Sequence, residues 1–218
     1  VPTPFLSKKE ESSIPKPDLT YIETAAKSVA KVLKKGDLVI LESTSPVGAT
    51  EQMSNWLAEE RKDLTFPHTH GEDSDIRISY CPERVLPGHV VRELVENDRV
   101  IGGMTDRCSE TSIKFYKTFV KGECLITNTN TAEMVKLTEN SCRDMQIAFA
   151  NELSIICNNF GIDVWELIKL ANRHPRINIL KPGPGVGGHC IAVDPWFLVE
   201  SSNGEAKLIK TAKTKNLK

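Results

Sequence analysis

Apolar positions along this chain recur with a helical period in some stretches and cluster in short runs between them. Ile22, Ala25, Ala26, Val29, Val32 and Leu33 follow Leu19 at the spacing of an amphipathic helix, with Asp18 placed to cap it and Gly36 to stop it. Leu38, Val39, Ile40 and Leu41 form a short buried-strand run, and residues 50–61, around Met53, Trp56 and Leu57, predict a second helix. Residues 76–80 and Val100-Ile101 predict strands, residues 106–120 a helix carrying Ile113, Phe115, Tyr116 and Phe119, and Leu125-Ile126 another strand. Helices alternating with strands argue for a parallel α/β sheet. Ligands of such sheets bind outside the carboxyl ends of the strands, which draws attention to residues 1–5, 43–48 and 81–88. Residues 68–75 are polar and contain a glycine, and they predict a solvated excursion.

After residue 128 the pattern changes. Asn130 with Glu133 three positions on reads as a capping box, and residues 131–159 contain neither glycine nor proline. As one helix they would span ~43 Å, a length suited to crossing between domains or packing across an oligomer interface. Residues 164–172 predict a further helix after Gly161. Residues 207–218 have the pattern of a basic amphipathic helix without a cap, and residues 1–5 read as the exit from a strand. The chain therefore reads as a piece of a longer protein, with domains at 1–128 and 129–218.

Composition narrows the class. Of 218 residues, 39% are hydrophobic and 26% charged, with a formal net charge of −1, so no basic field points to nucleic acid or an acidic membrane. No apolar run approaches the ~18 residues of a membrane span. The six cysteines are scattered without a C-x-x-C pair, which fits reduced thiols in a cytoplasmic protein. His68 and His70 lack the further ligands of a metal site.

The chemistry concentrates in residues 181–196. Gly183, Gly185, Gly187 and Gly188 allow close backbone approach, Cys190 follows them, and Asp194 stands four residues on. If a helix begins near Cys190, its positive end favours an anionic sulfur, and Asp194 lies on the same face. A nucleophile beside an acid/base group is the minimum for covalent catalysis; a buried cysteine after a structural loop is the plain alternative. Lys136 and Asn140 share a helix face and could stabilise charge on a substrate oxygen, although by pattern alone a solvated stripe is the stronger reading. Glu83 is a candidate base or water-positioning group, or half of an ion pair with Arg84. Thr44 sits where hydroxyls meet phosphate or ribose, or else it or Ser45 caps the next helix. The glycine run lacks both a leading strand and the later acidic residue of a dinucleotide fingerprint.

Taken together, these motifs resemble the UDP-glucose/GDP-mannose dehydrogenase family over nearly the whole chain. The resemblance rests on Val1-Pro2-Thr3-Pro4, Glu42-Ser43-Thr44-Ser45-Pro46-Val47-Gly48, Cys81-Pro82-Glu83-Arg84, Glu133 through Asn140, and Gly187-Gly188-His189-Cys190 through Asp194-Pro195, in family order. Arg84-Val85-Leu86-Pro87-Gly88, Asn172-Arg173-His174-Pro175-Arg176 and Ala192-Val193-Asp194-Pro195-Trp196-Phe197 look closest to the branch acting on UDP-N-acetyl-D-mannosamine.

The resemblance implies an incomplete Rossmann-like nucleotide-binding domain, with Val1-Pro2-Thr3-Pro4 ending its fourth strand. A helical central domain then follows, and its long helix mediates homodimerisation. It implies NAD as cofactor, a UDP-sugar as substrate, no metal, and a four-electron oxidation of the sugar C6 alcohol through a thiohemiacetal and a thioester on Cys190. Lys136 and Asn140 would hold the reacting oxygen, Asp194 would move protons, and Glu83 and Thr44 would position water near the nicotinamide. Pro2, Thr3, Thr44 and Glu83 would face the cofactor. Arg84, Val85, Leu86, Lys136, Asn140, Arg176, Asn178, Lys181, Gly183 and Gly187 would face the substrate. The family's glycine fingerprint and C-terminal domain lie outside this sequence, so the chain alone is expected to be inactive. Rival readings are the same chemistry on UDP-N-acetylglucosamine or UDP-glucose, a hydroxyacid or 6-phosphogluconate-type dehydrogenase without a thiol intermediate, and a silent dimerising fragment.

Overall fold

Alternation along the first strand serves two faces, since Val39 and Leu41 pack into one hydrophobic cluster and Ile40 against another. The computed structural model describes residues 1–6, 14–85, 88–188 and 190–216. They fall into two compact units, 1–6 with 17–136 and 14–16 with 137–216.

In the first unit the chain forms α1 (Thr20–Ala30), β1 (Leu38–Leu41), α2 (Ala49–Glu60), α3 (Pro67–His70), β2 (Arg77–Tyr80), α4 (Val90–Glu96), β3 (Arg99–Gly103), α5 (Asp106–Tyr116) and β4 (Cys124–Asn128). The strands lie in the order β1-β2-β3-β4. Leu19 holds the N-cap position of α1 with no side-chain bond, and Asp18 just before it accepts the Thr20 amide on Oδ1 at 3.0 Å. The helix stops at Ala30, and Gly36 turns the chain into β1 with a φ of 94°.

The sheet departs from the all-parallel expectation. β1 and β2 are parallel, as are β3 and β4, but β2 and β3 are antiparallel, with Ser79 opposite Gly103 and Tyr80 opposite Gly102. Each parallel pair is joined by a crossover helix, α2 or α5. The connection from β2 to β3 runs through α4, which the sequence pattern did not disclose. Its result is that residues 97–98, entering β3, border the loop leaving β2: Asn97 Nδ2 donates to the Arg84 carbonyl at 3.4 Å.

Ile22, Met53, Leu57, Ile78 and Tyr80 fill the core between α1, α2 and one sheet face, while Ile101, Tyr116 and Val120 fill the other under α5. Burial of each such large side chain contributes roughly 1.5–3 kcal/mol. Within residues 68–75, Thr69, His70, Glu72 and Asp73 are exposed, while Ser74 is buried and His68 Nδ1 meets Ser54 Oγ at 2.6 Å. Burial also lowers the pKa of His68. Residues 1–4 are irregular, and beside them Phe5 forms an isolated antiparallel bridge with Pro17.

The long helix is α6 (Thr129–Phe160), 32 residues. Its cap is Asn128, whose Oδ1 accepts the Thr131 amide at 2.8 Å, rather than Asn130. Glu133 does not close a capping box either, because its carboxylate is spent on α2. The start of α6 lies close to β3: a Cβ on Gly102 would stand 2.6 Å from the Asn128 carbonyl oxygen and 2.7 Å from Ala132 Cβ. Gly161, at a φ of 67°, ends the helix with the Ile162 amide reaching back to the Cys157 carbonyl.

The second unit takes α6 from Leu137 onward and adds α7 (Val164–Ala171), α8 (Asp194–Ser201) and α9 (Lys207–Asn216). Asp163 caps α7 through the Trp165 amide at 2.8 Å. Phe197, Leu198 and Val199 of α8 and Ala212 of α9 are buried. Among the described residues, no helix is long and apolar enough to cross a membrane.

Candidate active site

In the first unit, the expected residues gather at the carboxyl ends of β1 and β2. Thr3 Oγ1 donates to the Thr44 carbonyl at 2.5 Å, and the Val1 amino group donates to Ser43 Oγ at 3.0 Å. These contacts hold residues 1–3 beside the loop after β1, with Pro2 exposed and Thr3 half-buried. The Thr44 hydroxyl is half-buried and has no hydrogen bond among the described residues. Glu83 is exposed; its amide donates to the Glu42 carbonyl at 3.4 Å and its Oε1 accepts the Val85 amide. Arg84 Nη1 reaches the Asp98 carbonyl at 3.5 Å. Leu86 lies outside the described residues. A shelf of open hydroxyl and backbone at the carboxyl ends of two parallel strands fits part of a dinucleotide. The pyrophosphate part has no glycine fingerprint in this sequence.

Neither Thr44 nor Ser45 caps α2. Gly48 occupies the N-cap at a φ of 94°, which suits glycine, and offers no side chain. Glu133 replaces it: Oε2 accepts the Gly48 amide at 2.7 Å, and Oε1 accepts the Thr50 amide at 2.8 Å and the Thr50 hydroxyl at 2.6 Å. Glu133 is fully buried, and burial raises its carboxyl pKa despite these donors.

In the second unit, Cys190 is exposed and lies ahead of α8 rather than inside it. Its carbonyl accepts the amides of Val193 and Asp194, each at 2.9 Å, so helical bonding begins at the cysteine. Asp194 is 3% exposed and accepts from Asn140 Nδ2 at 2.5 Å. The exposed cysteine and the buried carboxylate are thus joined by one turn of backbone bonding, and Asn140 is tied to that carboxylate. Lys136 is half-buried one turn before Asn140 on α6. Gly183 donates its amide to Asn151 Oδ1 at 2.8 Å; Lys181, Gly187, Arg176 and Asn178 are exposed. A cleft of about 580 Å³ is lined by Asn151, Ile155, Trp165, Gly183 and Asn216 but not by Cys190.

Sequence reasoning missed a buried polar group beneath the cysteine turn. Lys213 and Asp144, both without exposed side-chain surface, meet at 3.3 Å. The available signal was Lys213 sharing the spacing of Ile209, Ala212 and Asn216 on an otherwise basic, exposed helix.

An α/β unit with an open hydroxyl shelf is thus followed by a helical unit with an exposed thiol one turn ahead of a buried carboxylate. The chain belongs to the UDP-glucose/GDP-mannose dehydrogenase family: residues 1–120 match its NAD binding domain and 130–218 its central domain. It is 69% identical over 216 residues to UDP-N-acetyl-D-mannosamine dehydrogenase of Campylobacter jejuni, covering 99% of this chain and 52% of that protein. It is 67% identical to NDP-N-acetyl-D-galactosaminuronic acid dehydrogenase of Ralstonia solanacearum, covering 99% and 50%. A solved UDP-D-ManNAc dehydrogenase of Pyrococcus horikoshii superposes with a TM-score of 0.89 at 42% identity, covering 100% of this chain and 49% of that one. The chain spans about half the length of the curated relatives it matches.

Proposed function

We propose that this chain is half of a cytoplasmic, NAD-dependent enzyme that oxidises UDP-N-acetyl-D-mannosamine at C6 to the uronate. The observation that carries the reading is the exposed Cys190 thiol one turn ahead of Asp194, whose buried carboxylate is held by Asn140. NAD, when bound, supplies the hydride acceptor for each two-electron step. Pro2, Thr3, Thr44 and Glu83 would hold its nicotinamide end, with Thr44 and Glu83 also placing water.

After the first oxidation, the Cys190 sulfur adds to the C6 aldehyde carbon, and the carbonyl electron pair moves onto oxygen. Lys136 would hold that oxygen, and a cation there stabilises it most where charge develops. Loss of hydride from the thiohemiacetal carbon restores the carbonyl as a thioester. Water then attacks that carbon, the C–S bond breaks, and the carboxylate leaves with Cys190 restored. Asp194 exchanges protons with the attacking water, and Asn140 fixes the orientation of that carboxylate. A thiol suits this sequence because it retains the aldehyde between two oxidations at one carbon. Arg84, Val85, Leu86, Arg176, Asn178, Lys181, Gly183 and Gly187 are proposed contacts for the UDP-sugar.

Two relatives of nearly equal identity are named for different N-acetylated sugars, which makes the sugar the quantity to measure. The full-length enzyme should form two NADH per UDP-N-acetylmannosamine consumed, and should turn over the gluco and galacto isomers and UDP-glucose more slowly. One NADH, or none, would overturn the thiol mechanism; a clear preference for another sugar would overturn the substrate.

Homodimerisation through α6 is part of the same proposal. Phe149, Ile155 and Phe160 of α6 and Trp165 and Leu170 of α7 are exposed apolar side chains within one unit, and contiguous surfaces of that kind mark association sites. Sedimentation of the full-length enzyme at micromolar concentration should give twice the monomer mass, and a monomer mass would remove this part.

A further inference from the structure

We infer that Lys213 is a positioning residue that, anchored by Asp144, sets the backbone of the turn bearing Cys190; the inference rests on the reading of Cys190 as nucleophile. Lys213 Nζ donates to Asp144 Oδ1 at 3.3 Å and to the Ile191 carbonyl at 3.2 Å, one residue beyond the cysteine. Asn216 Nδ2 donates to the Asp144 carbonyl at 2.8 Å and to its Oδ1 at 2.9 Å, closing the group from the next turn of α9. Asn140 and Asp144 stand four residues apart and share a face of α6. One helix face thus tethers the turn twice: directly through Asn140 to Asp194, and through Asp144 and Lys213 to Ile191.

Stability alone does not account for the pair. Lys213 and Asp144 are fully buried, and Asp144 Oδ2 has no hydrogen-bond partner among the described residues. Desolvating two charges in that state offsets most of their attraction, and apolar residues of similar volume commonly do as well or better. What an apolar pair cannot supply is a donor to the Ile191 carbonyl. A nucleophile displaced by about 1 Å loses on the order of 10²-fold in rate, so a fixed donor at this carbonyl acts directly on where the sulfur sits.

The test separates positioning from folding. In the full-length enzyme, Lys213→Met with Asp144→Leu removes both charges together and should hold its melting midpoint within a few degrees. Cys190 alkylation by iodoacetamide, followed by peptide mapping against the other cysteines, should change several-fold in rate. With UDP-N-acetylmannosamine, kcat should fall about 10–100-fold with KM within about twofold, and NADH per sugar should drop below two as aldehyde escapes. Lys213→Arg, which keeps the charge and the donors, should recover most of the rate. Wild-type alkylation and kcat in the double variant would overturn the inference. Altered alkylation in an enzyme that oxidises no UDP-sugar would keep the positioning role and remove the reaction. If the double variant does not fold, Asp144→Asn keeps the shape and removes the anchoring charge. Its Cys190 alkylation, measured well below its melting midpoint, then decides in the same way.

Discussion

Serine in place of Cys190 is expected to lower uronate formation by the full-length enzyme at least about 10³-fold, while the first oxidation of the alcohol survives. The reason is chemical rather than structural. Serine fits the exposed turn and keeps the backbone bonds from Val193 and Asp194 to the residue 190 carbonyl, but its hydroxyl does not ionise near neutral pH. The aldehyde then has no partner that both retains it and can leave again. NADH formed per sugar should fall from two to one or less, and a carbonyl reagent should trap the aldehyde in solution. A serine variant that still makes two NADH per sugar within tenfold of the wild-type rate would remove Cys190 from the mechanism.

The second large effect falls on stability. Glu133→Ala leaves the Gly48 and Thr50 amides and the Thr50 hydroxyl without their acceptor, each in or near the core. Loss of a buried network of this kind costs about 3–5 kcal/mol, or roughly 6–20 °C in melting midpoint for a chain of this size. Glu133→Gln keeps Oε1 for Thr50 but turns an amide toward the Gly48 N–H, and should cost less. The two variants should also differ from the wild type in their response to pH. Burial raises the carboxyl above its ordinary 4.5, so the folded state holds the proton more tightly than the unfolded chain does. That contribution to stability is full below pH 4.5 and is lost as pH rises through the folded value. The advantage of wild type over Glu133→Gln should therefore narrow from pH 4 toward pH 8 in denaturant titrations. An advantage that widens, or an alanine variant as stable as wild type, would contradict this account.

Elements with a strong single-face period were legible in the sequence, because burial there depends on spacing alone. α2, α5 and α7 lie within a few residues of their expected bounds, and the strand runs sit at β1 to β4. The antiparallel junction was not legible, since α4 exposes Val90 and Val91 and buries none of its residues, leaving no apolar stripe to read. Residues 68–75 were legible in the main, since Thr69, His70, Glu72 and Asp73 are exposed as their polar composition implies, and only Ser74 among them is buried. At the candidate site, the turn that joins Cys190 to Asp194 was legible from spacing because its backbone bonds are local. Glu133 could not be assigned, because its partners lie 83 and 85 residues away and its local pattern imitates a capping box. Lys213 escaped notice because a basic helix conceals one lysine that turns inward.

The contact between Glu133 and the start of α2 bears on how such proteins can recombine. The α/β unit ends inside a helix, after Lys136, and not at the end of the strand that precedes it. A crossover between two diverged family members at residues 120–128 would therefore deliver Ala132 and Glu133 from one parent to a helix end and a glycine strand inherited from the other. Crossovers just beyond Lys136 keep those groups together. The natural seam for shuffling halves of this family lies two turns inside the long helix.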